Sequence, residues 1–207
     1  RTGWKWLQKG LLRQIETDGT YAQHSTNYHR LMLQAALWAL SLAGHNGQNP
    51  SARLAARLAA ASQWLMDHTN PLTGEADNLG ANDGAYILPL APGGFADFRP
   101  VIQAASLAFL GSPAYPAGSW DEFEFWLAGK IRSTSEPQQF AQPPNRDRLV
   151  CGGAWASLRA AHFSSRPSHA DQLHVGLWYR GHPVTLDAGT FRYNAPAPWE
   201  NALAVTA

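Results

Sequence analysis

Apolar residues recur at helical intervals through the first half of the chain. Thr26 can cap a helix that sets Tyr28, Leu31, Ala35, Trp38 and Leu42 on one face, with Gly44 as its stop. Ser51, after Pro50, opens a second helix with Leu54, Leu58, Ala61 and Leu65 in register. That helix ends near Asp67 and His68, ahead of the loop Asn70-Pro71-Leu72-Thr73-Gly74. Asp97 can cap a third, with Pro100 in its first turn, the apolar face Val101, Ala104, Ala105 and Ala108, and a stop at Gly111. A shorter fourth helix is expected from Trp120 to Lys130. Helices joined in sequence form antiparallel hairpins, and stacked hairpins build a helical solenoid or a closed α/α toroid.

The period changes near residue 135. Residues 133–148 are rich in Pro, Gln and Ser and read as a linker. Beyond it Leu173, Val175, Leu177 and Tyr179 alternate with Gln172, His174, Gly176, Trp178 and Arg180, the period of a strand. A turn at Arg180-Gly181-His182-Pro183 and a return at Val184 to Leu186 complete a hairpin. Leu149-Val150 and the stretch from Ala154 to Phe163 are weaker strands. The expectation is an α+β chain: a helical unit over 1–132, a linker over 133–148, and the start of a strand-built domain over 149–207.

Composition narrows the function classes. The 207 residues carry 16 basic and 15 acidic side chains, a net charge of +1. Nucleic-acid binders show a clear basic excess, so that class is set aside. With 45% hydrophobic and 15% charged residues the chain has what a packed core requires. No apolar run reaches the ~20 residues needed to span a bilayer. A single cysteine, Cys151, excludes an internal disulfide framework and a Cys-built zinc site, and reads as an inert small hydrophobe. The 9 Trp, 6 Tyr and 8 Phe supply a core, or a cleft in which pyranose rings stack on aromatic faces. The chain opens on Arg1 with no leader and closes on the apolar Val205-Thr206-Ala207, so an internal piece of a longer protein is expected.

Three polar clusters could carry chemistry. Gln23-His24-Ser25-Thr26-Asn27-Tyr28-His29-Arg30 crowds the start of a helix, where free N–H groups suit an anion, although capping alone explains much of it. Asn78-Leu79-Gly80-Ala81-Asn82-Asp83-Gly84-Ala85-Tyr86 is a turn-rich loop that could hold a phenol over a cleft. The third runs from His162 to Asp171, with Asp187 at the end of the returning strand. His169 and Asp187 could meet across it as metal ligands or as a plain hydrogen-bonded pair.

These segments together resemble the heparinase II/III-like superfamily of polysaccharide lyases, which includes alginate lyases. The resemblance rests on Asp18-Gly19-Thr20-Tyr21, Ser25 to Arg30, Asn82 to Tyr86, His169 to Val175 and Leu186 to Thr190. It implies an incomplete α/α toroid followed by an antiparallel β-sandwich. It also implies β-elimination at a uronic acid: the carboxylate is neutralised, a base takes the C5 proton, and an acid protonates the leaving oxygen. Asn27 and His29 then resemble the neutralising group, and Tyr86 the acid or base. Asn27 precedes Tyr86 by 59 positions and His29 by 57, close to the spacing the family keeps. His24, Tyr28, Arg30 and Asn82 fall where substrate would bind. Pro167 stands where the family often has a catalytic His, so a Tyr-only mechanism, a base such as His162, or loss of activity all fit. His169 and Asp187 resemble two ligands of a structural zinc. The implied substrate is an anionic polysaccharide, met in the periplasm of a bacterium or outside it.

Two competing readings differ in class. A non-catalytic carbohydrate-binding homologue would keep the scaffold without the proton chemistry. A glycoside hydrolase would need two opposed carboxylates, for which Asp83 and Asp97 are the few candidates, each with a local turn or cap role of its own.

Overall fold

A computed structural model describes residues 2–129, 148–163, 172–185, 187 and 196–197. Among the described residues five α-helices precede four strands: α1 (Thr2–Gln14), α2 (Thr26–His45), α3 (Ala52–Asp67), α4 (Arg99–Ala105), α5 (Glu122–Ala128), β1 (Arg148–Cys151), β2 (Ala154–Leu158), β3 (Val175–Tyr179) and β4 (His182–Thr185). The chain is α+β, as its periodicity requires. The described residues show a helical layer and one sheet.

The second expected helix forms as its pattern dictates. Ser51 caps α3, its hydroxyl accepting from the Leu54 N–H at 3.3 Å. Leu54, Leu58, Ala61 and Leu65 are all fully buried. They meet Leu33, Val101, Ile102 and Phe123 in one core. Helix α1 has no counterpart in the sequence reading. Leu11 is its buried residue, and Leu7 and Leu12 pack against the core beside it.

Helix α2 corrects the expected face. Its cap is Ser25, whose hydroxyl accepts from the Tyr28 N–H at 3.1 Å. The face turned inward carries Asn27, His29, Arg30, Met32, Leu33, Gln34, Ala36 and Leu37. Trp38 and Leu42, expected inside, are 52% and 54% exposed. The polar residues go in because each finds a partner: Asn27 with Ala85, His29 with Ala61, Gln34 with Leu88.

Other boundaries shift in smaller ways. Phe98, not Asp97, stands at the N-cap of α4, while the Asp97 carboxylate accepts from the Arg99 N–H and holds its guanidinium at 2.8 Å. After Ala105 the helix widens into a π-turn over Ser106–Leu110, ended by Gly111, and Ala108 faces solvent. Trp120 lies in a 3-10 turn ahead of α5. Arg148, expected in the linker, begins β1, β2 stops at Leu158, and the β3–β4 turn is Arg180-Gly181 alone. The rest of the linker and Leu186 lie outside the described residues.

The strands pair antiparallel in the order β1-β2-β3-β4, with Trp155 opposite Trp178 and Ser157 opposite Gly176. Gly176 and Trp178 face the helices, while Val175, Leu177 and Tyr179 face out. Directional polar bonds hold the sheet there. The Trp178 indole N–H donates to Asp77 at 2.6 Å, and Ser157 donates to the same carboxylate at 3.0 Å. Arg148 donates to the Asp67 carbonyl and Arg159 to the His24 carbonyl.

Candidate active site

A cavity of about 600 Å³ opens between the helical layer and the sheet. Its helical wall carries Tyr21, His24, His29, Trp64 and His68, and its strand wall runs from Ser157 to His162 through Arg159. The size is that of a small-molecule or oligosaccharide subsite.

Local sequence sets the helical wall. His24 takes a left-handed backbone, φ +49°, which is strained for a residue with a side chain. Its carbonyl is fixed by Arg159 at 2.9 Å and abuts Gly80, where an added Cβ would fall 2.2 Å from it. Glycine is therefore required at 80. The His24 ring meets Phe163 edge-on, centroids 4.7 Å apart.

Three rings stack in series beside it. His29 lies on Trp64 at 4.6 Å and 12°, and Trp64 lies on His68 at 3.8 Å and 18°. The Trp64 indole is thus stacked by two imidazoles, one from α2 and one just past the end of α3. A carbonyl can only accept, so His29 Nε2 carries a proton toward Ala61 O at 2.8 Å. Burial holds His29 down to about 3; the Ala61 contact opposes this and His68 adds to it. His29 therefore stays neutral, with its one N–H engaged. His68 donates from Nδ1 to the Trp64 carbonyl at 2.7 Å.

Tyr21 donates to the Gln14 side chain at 3.1 Å and lies 6.3 Å, edge-on, from His29. Burial raises its phenol, with a hydrogen bond to Gln23 opposing, so the proton is retained at neutral pH.

The expected trio of Asn27, His29 and Tyr86 divides into two groups. Asn27, Arg30 and Gln34 form the stripe of α2 that faces the 85–95 loop, and His29 faces α3. Asn27 donates to Ala85 O at 3.1 Å and accepts from Arg30 at 2.6 Å. Arg30 is fully buried, with Tyr86, Phe95 and Phe98 at 4.6, 4.3 and 4.1 Å around its guanidinium. Burial brings it down to about 10, against the pull of Tyr86 and Asp97. So enclosed, Arg30 packs against Tyr86 and stands apart from the cavity lining. Tyr86 is half-buried, and burial raises its phenol more than Arg30 lowers it.

Tyr28 donates to Asp83 at 2.7 Å, which lowers that carboxyl. Asn82 donates to Asn78 at 2.8 Å and accepts from Gly84, an internal brace of its loop. His24 does line the cavity. His169 and Pro167 lie outside the described residues. The Asp187 carbonyl accepts from Asn78 at 3.3 Å. No group of three metal-ligating side chains occurs among the described residues. Sequence reasoning assigned no role to Trp64, His68, Arg159 or Asp77. The Trp64 to His68 interval, one turn of α3, was the available signal.

The strand wall belongs to a recognisable segment. Residues 154–207 match the family model described as Heparinase II/III-like, C-terminal. The likeness covers this C-terminal segment, about a quarter of the 207 residues. No curated protein matches it, and no solved structure does. Among the described residues no helix is long and apolar enough to cross a membrane.

Proposed function

We propose that this heparinase II/III-like chain is part of a polysaccharide lyase. It cleaves a uronic-acid-containing anionic polysaccharide by β-elimination and leaves a 4,5-unsaturated uronate end. The observation that carries the reading is the cavity itself: Tyr21, His24, His68, Arg159 and His162 converge where the helical layer meets the family segment.

Each step of elimination has a group suited to it. The C5 proton is weakly acidic beside an anionic carboxylate, so that charge must first be neutralised. Arg159, pinned by the His24 carbonyl, is the cation on the wall for this. An imidazole on the wall, His68 or His162, takes the C5 proton. Tyr21, which keeps its own proton, delivers it to the leaving oxygen. His29 shapes the stack and does not transfer protons, because its N–H is engaged with Ala61 and its basicity is low.

Family spacing points instead to Tyr86 as the acid or base, with Asn27 beside it. The two tyrosines make the test. Tyr21→Phe is expected to lower turnover about 100-fold or more, the usual scale of a general acid. Tyr86→Phe is expected to keep most of its rate. The reverse order would move the chemistry to the Asn27–Arg30–Tyr86 group.

Asp83 and Asp97 do not support hydrolysis. Each is engaged, with Tyr28 and with Arg99, and neither lines the cavity. A binding protein without turnover would show affinity for the polymer and no unsaturated product. We also propose that His169 and Asp187, a nitrogen and an oxygen donor of the kind zinc accepts, brace the strand domain through a structural zinc. Absence of stoichiometric zinc from the full-length protein would end that idea. Export to the periplasm or beyond, where such polymers are met, goes with the reading.

A further inference from the structure

Asp77 lies outside the cavity and in none of the proposed proton steps. It is nevertheless a carboxylate only 6% exposed, and it sits at the seam between the two walls. Its backbone N–H donates to the His68 carbonyl at 3.2 Å, which ties it to the helical wall directly beside a cavity imidazole. Its two oxygens reach across the seam to the sheet, Oδ1 to the Trp178 indole at 2.6 Å and Oδ2 to the Ser157 hydroxyl at 3.0 Å. Ser157 lines the cavity two residues before Arg159. The approach leaves no slack: a Cβ on Gly176 would fall 2.8 Å from the Ser157 hydroxyl and 3.2 Å from Asp77 Oδ1. Trp178 is 1% exposed and stacks on Trp155 at 5.1 Å and 10°, so its indole has one orientation.

We propose that Asp77 is a positioning residue that docks the sheet onto the helical layer and so sets the width of the cavity. One residue, its backbone N–H on the His68 carbonyl and its carboxylate on β2 and β3, fixes how far Arg159 stands from Tyr21 and His68. Elimination needs the carboxylate-binding cation, the base and the acid in place together, so a change in this width acts on turnover more than on binding. The role in turnover rests on the lyase reading; the docking does not.

The test compares Asp77→Asn, Asp77→Ala, Ser157→Ala and wild type in the full-length protein. An amide at 77 still accepts from Trp178, and its NH2 can donate to the Ser157 oxygen, so Asn retains both arms. Alanine retains neither. The first readout is amide hydrogen exchange over residues 154–158 and 175–179. Alanine is expected to speed it at least about tenfold while α3 is unchanged, with Asn near wild type and Ser157→Ala between. The second readout is steady-state elimination. Alanine is expected to lower kcat about tenfold or more with KM nearly constant, and Asn to restore most of it. If Asp77→Ala does not fold, Ser157→Ala carries both readouts with smaller shifts. Unchanged exchange in the alanine variants, or an Asn variant as impaired as Ala, overturns the proposal. A wild type that makes no unsaturated product sinks the lyase reading alone, and the exchange data still judge the docking.

Discussion

The helical layer encloses its apolar side chains, whereas the sheet leaves a face of them open. Leu33, Leu54, Leu58 and Leu65 have no exposure, while Leu149, Val175, Tyr179 and Val184 are 80%, 51%, 50% and 59% exposed. The layer is therefore held by burial, which is non-directional and scales with area. The sheet is placed by a few oriented bonds, from Trp178, Ser157, Arg148 and Arg159 to acceptors on the helical side. Bonds of that kind fix a distance and an angle. A cavity whose two walls must be set to each other is best served by the second kind of attachment.

The comparison predicts a gradient of mutational cost. Among single substitutions Leu58→Ala should have the largest effect, about 3 kcal/mol lost in urea unfolding followed by far-ultraviolet circular dichroism, the scale of a buried leucine truncated to leave a void. Acidification should loosen the same layer by a comparable amount. His29 is held down to about 3 when folded, against 6.5 for the free side chain. Below pH 6.5 the unfolded chain takes up a proton that the native state refuses. Stability should then fall as pH drops from about 6.5 toward 3, with a slope nearing roughly 1 kcal/mol per pH unit. His29→Gln should flatten that slope in denaturation curves taken at several pH values. The smallest effect belongs to the open face: Val175→Thr should change stability by less than about 0.5 kcal/mol. If Val175→Thr cost as much as Leu58→Ala, the open face would not be open, and the contrast would collapse.

The same contrast explains what the sequence disclosed. Helix α3 was legible to its cap because Ser51, Leu54, Leu58 and Leu65 follow a simple rule, apolar inward and hydroxyl at the start. Helix α2 and strand β3 were legible as elements and misleading as faces. In α2 the inward stripe holds Asn27, His29, Arg30 and Gln34, and in β3 it holds Gly176 and Trp178. Both elements turn in residues that have specific partners and leave apolar neighbours outside. Hydrophobic periodicity cannot register this, because the partners, Ala61, Ala85 and Asp77, are distant in sequence. The candidate site was half legible for the same reason. His24 and the polar turn at 23–30 stood out locally, whereas the approach of Tyr21, His68 and Arg159 arises only when the sheet docks. Spacing brought Asn27 and Tyr86 to attention, and they do share a neighbourhood through Ala85 and Arg30, but His29 belongs to the cavity.

Whether that cavity performs elimination is decided by the chemistry of the product. The full-length protein should be incubated with alginate, heparan, chondroitin and bacterial exopolysaccharides while the ultraviolet absorbance of an unsaturated uronate and the appearance of reducing ends are followed together. The account predicts that, for at least one uronate polymer, absorbance and reducing ends rise in equal amounts. Reducing ends without absorbance would mean hydrolysis, and neither signal with any uronate polymer would mean no turnover; either result contradicts it.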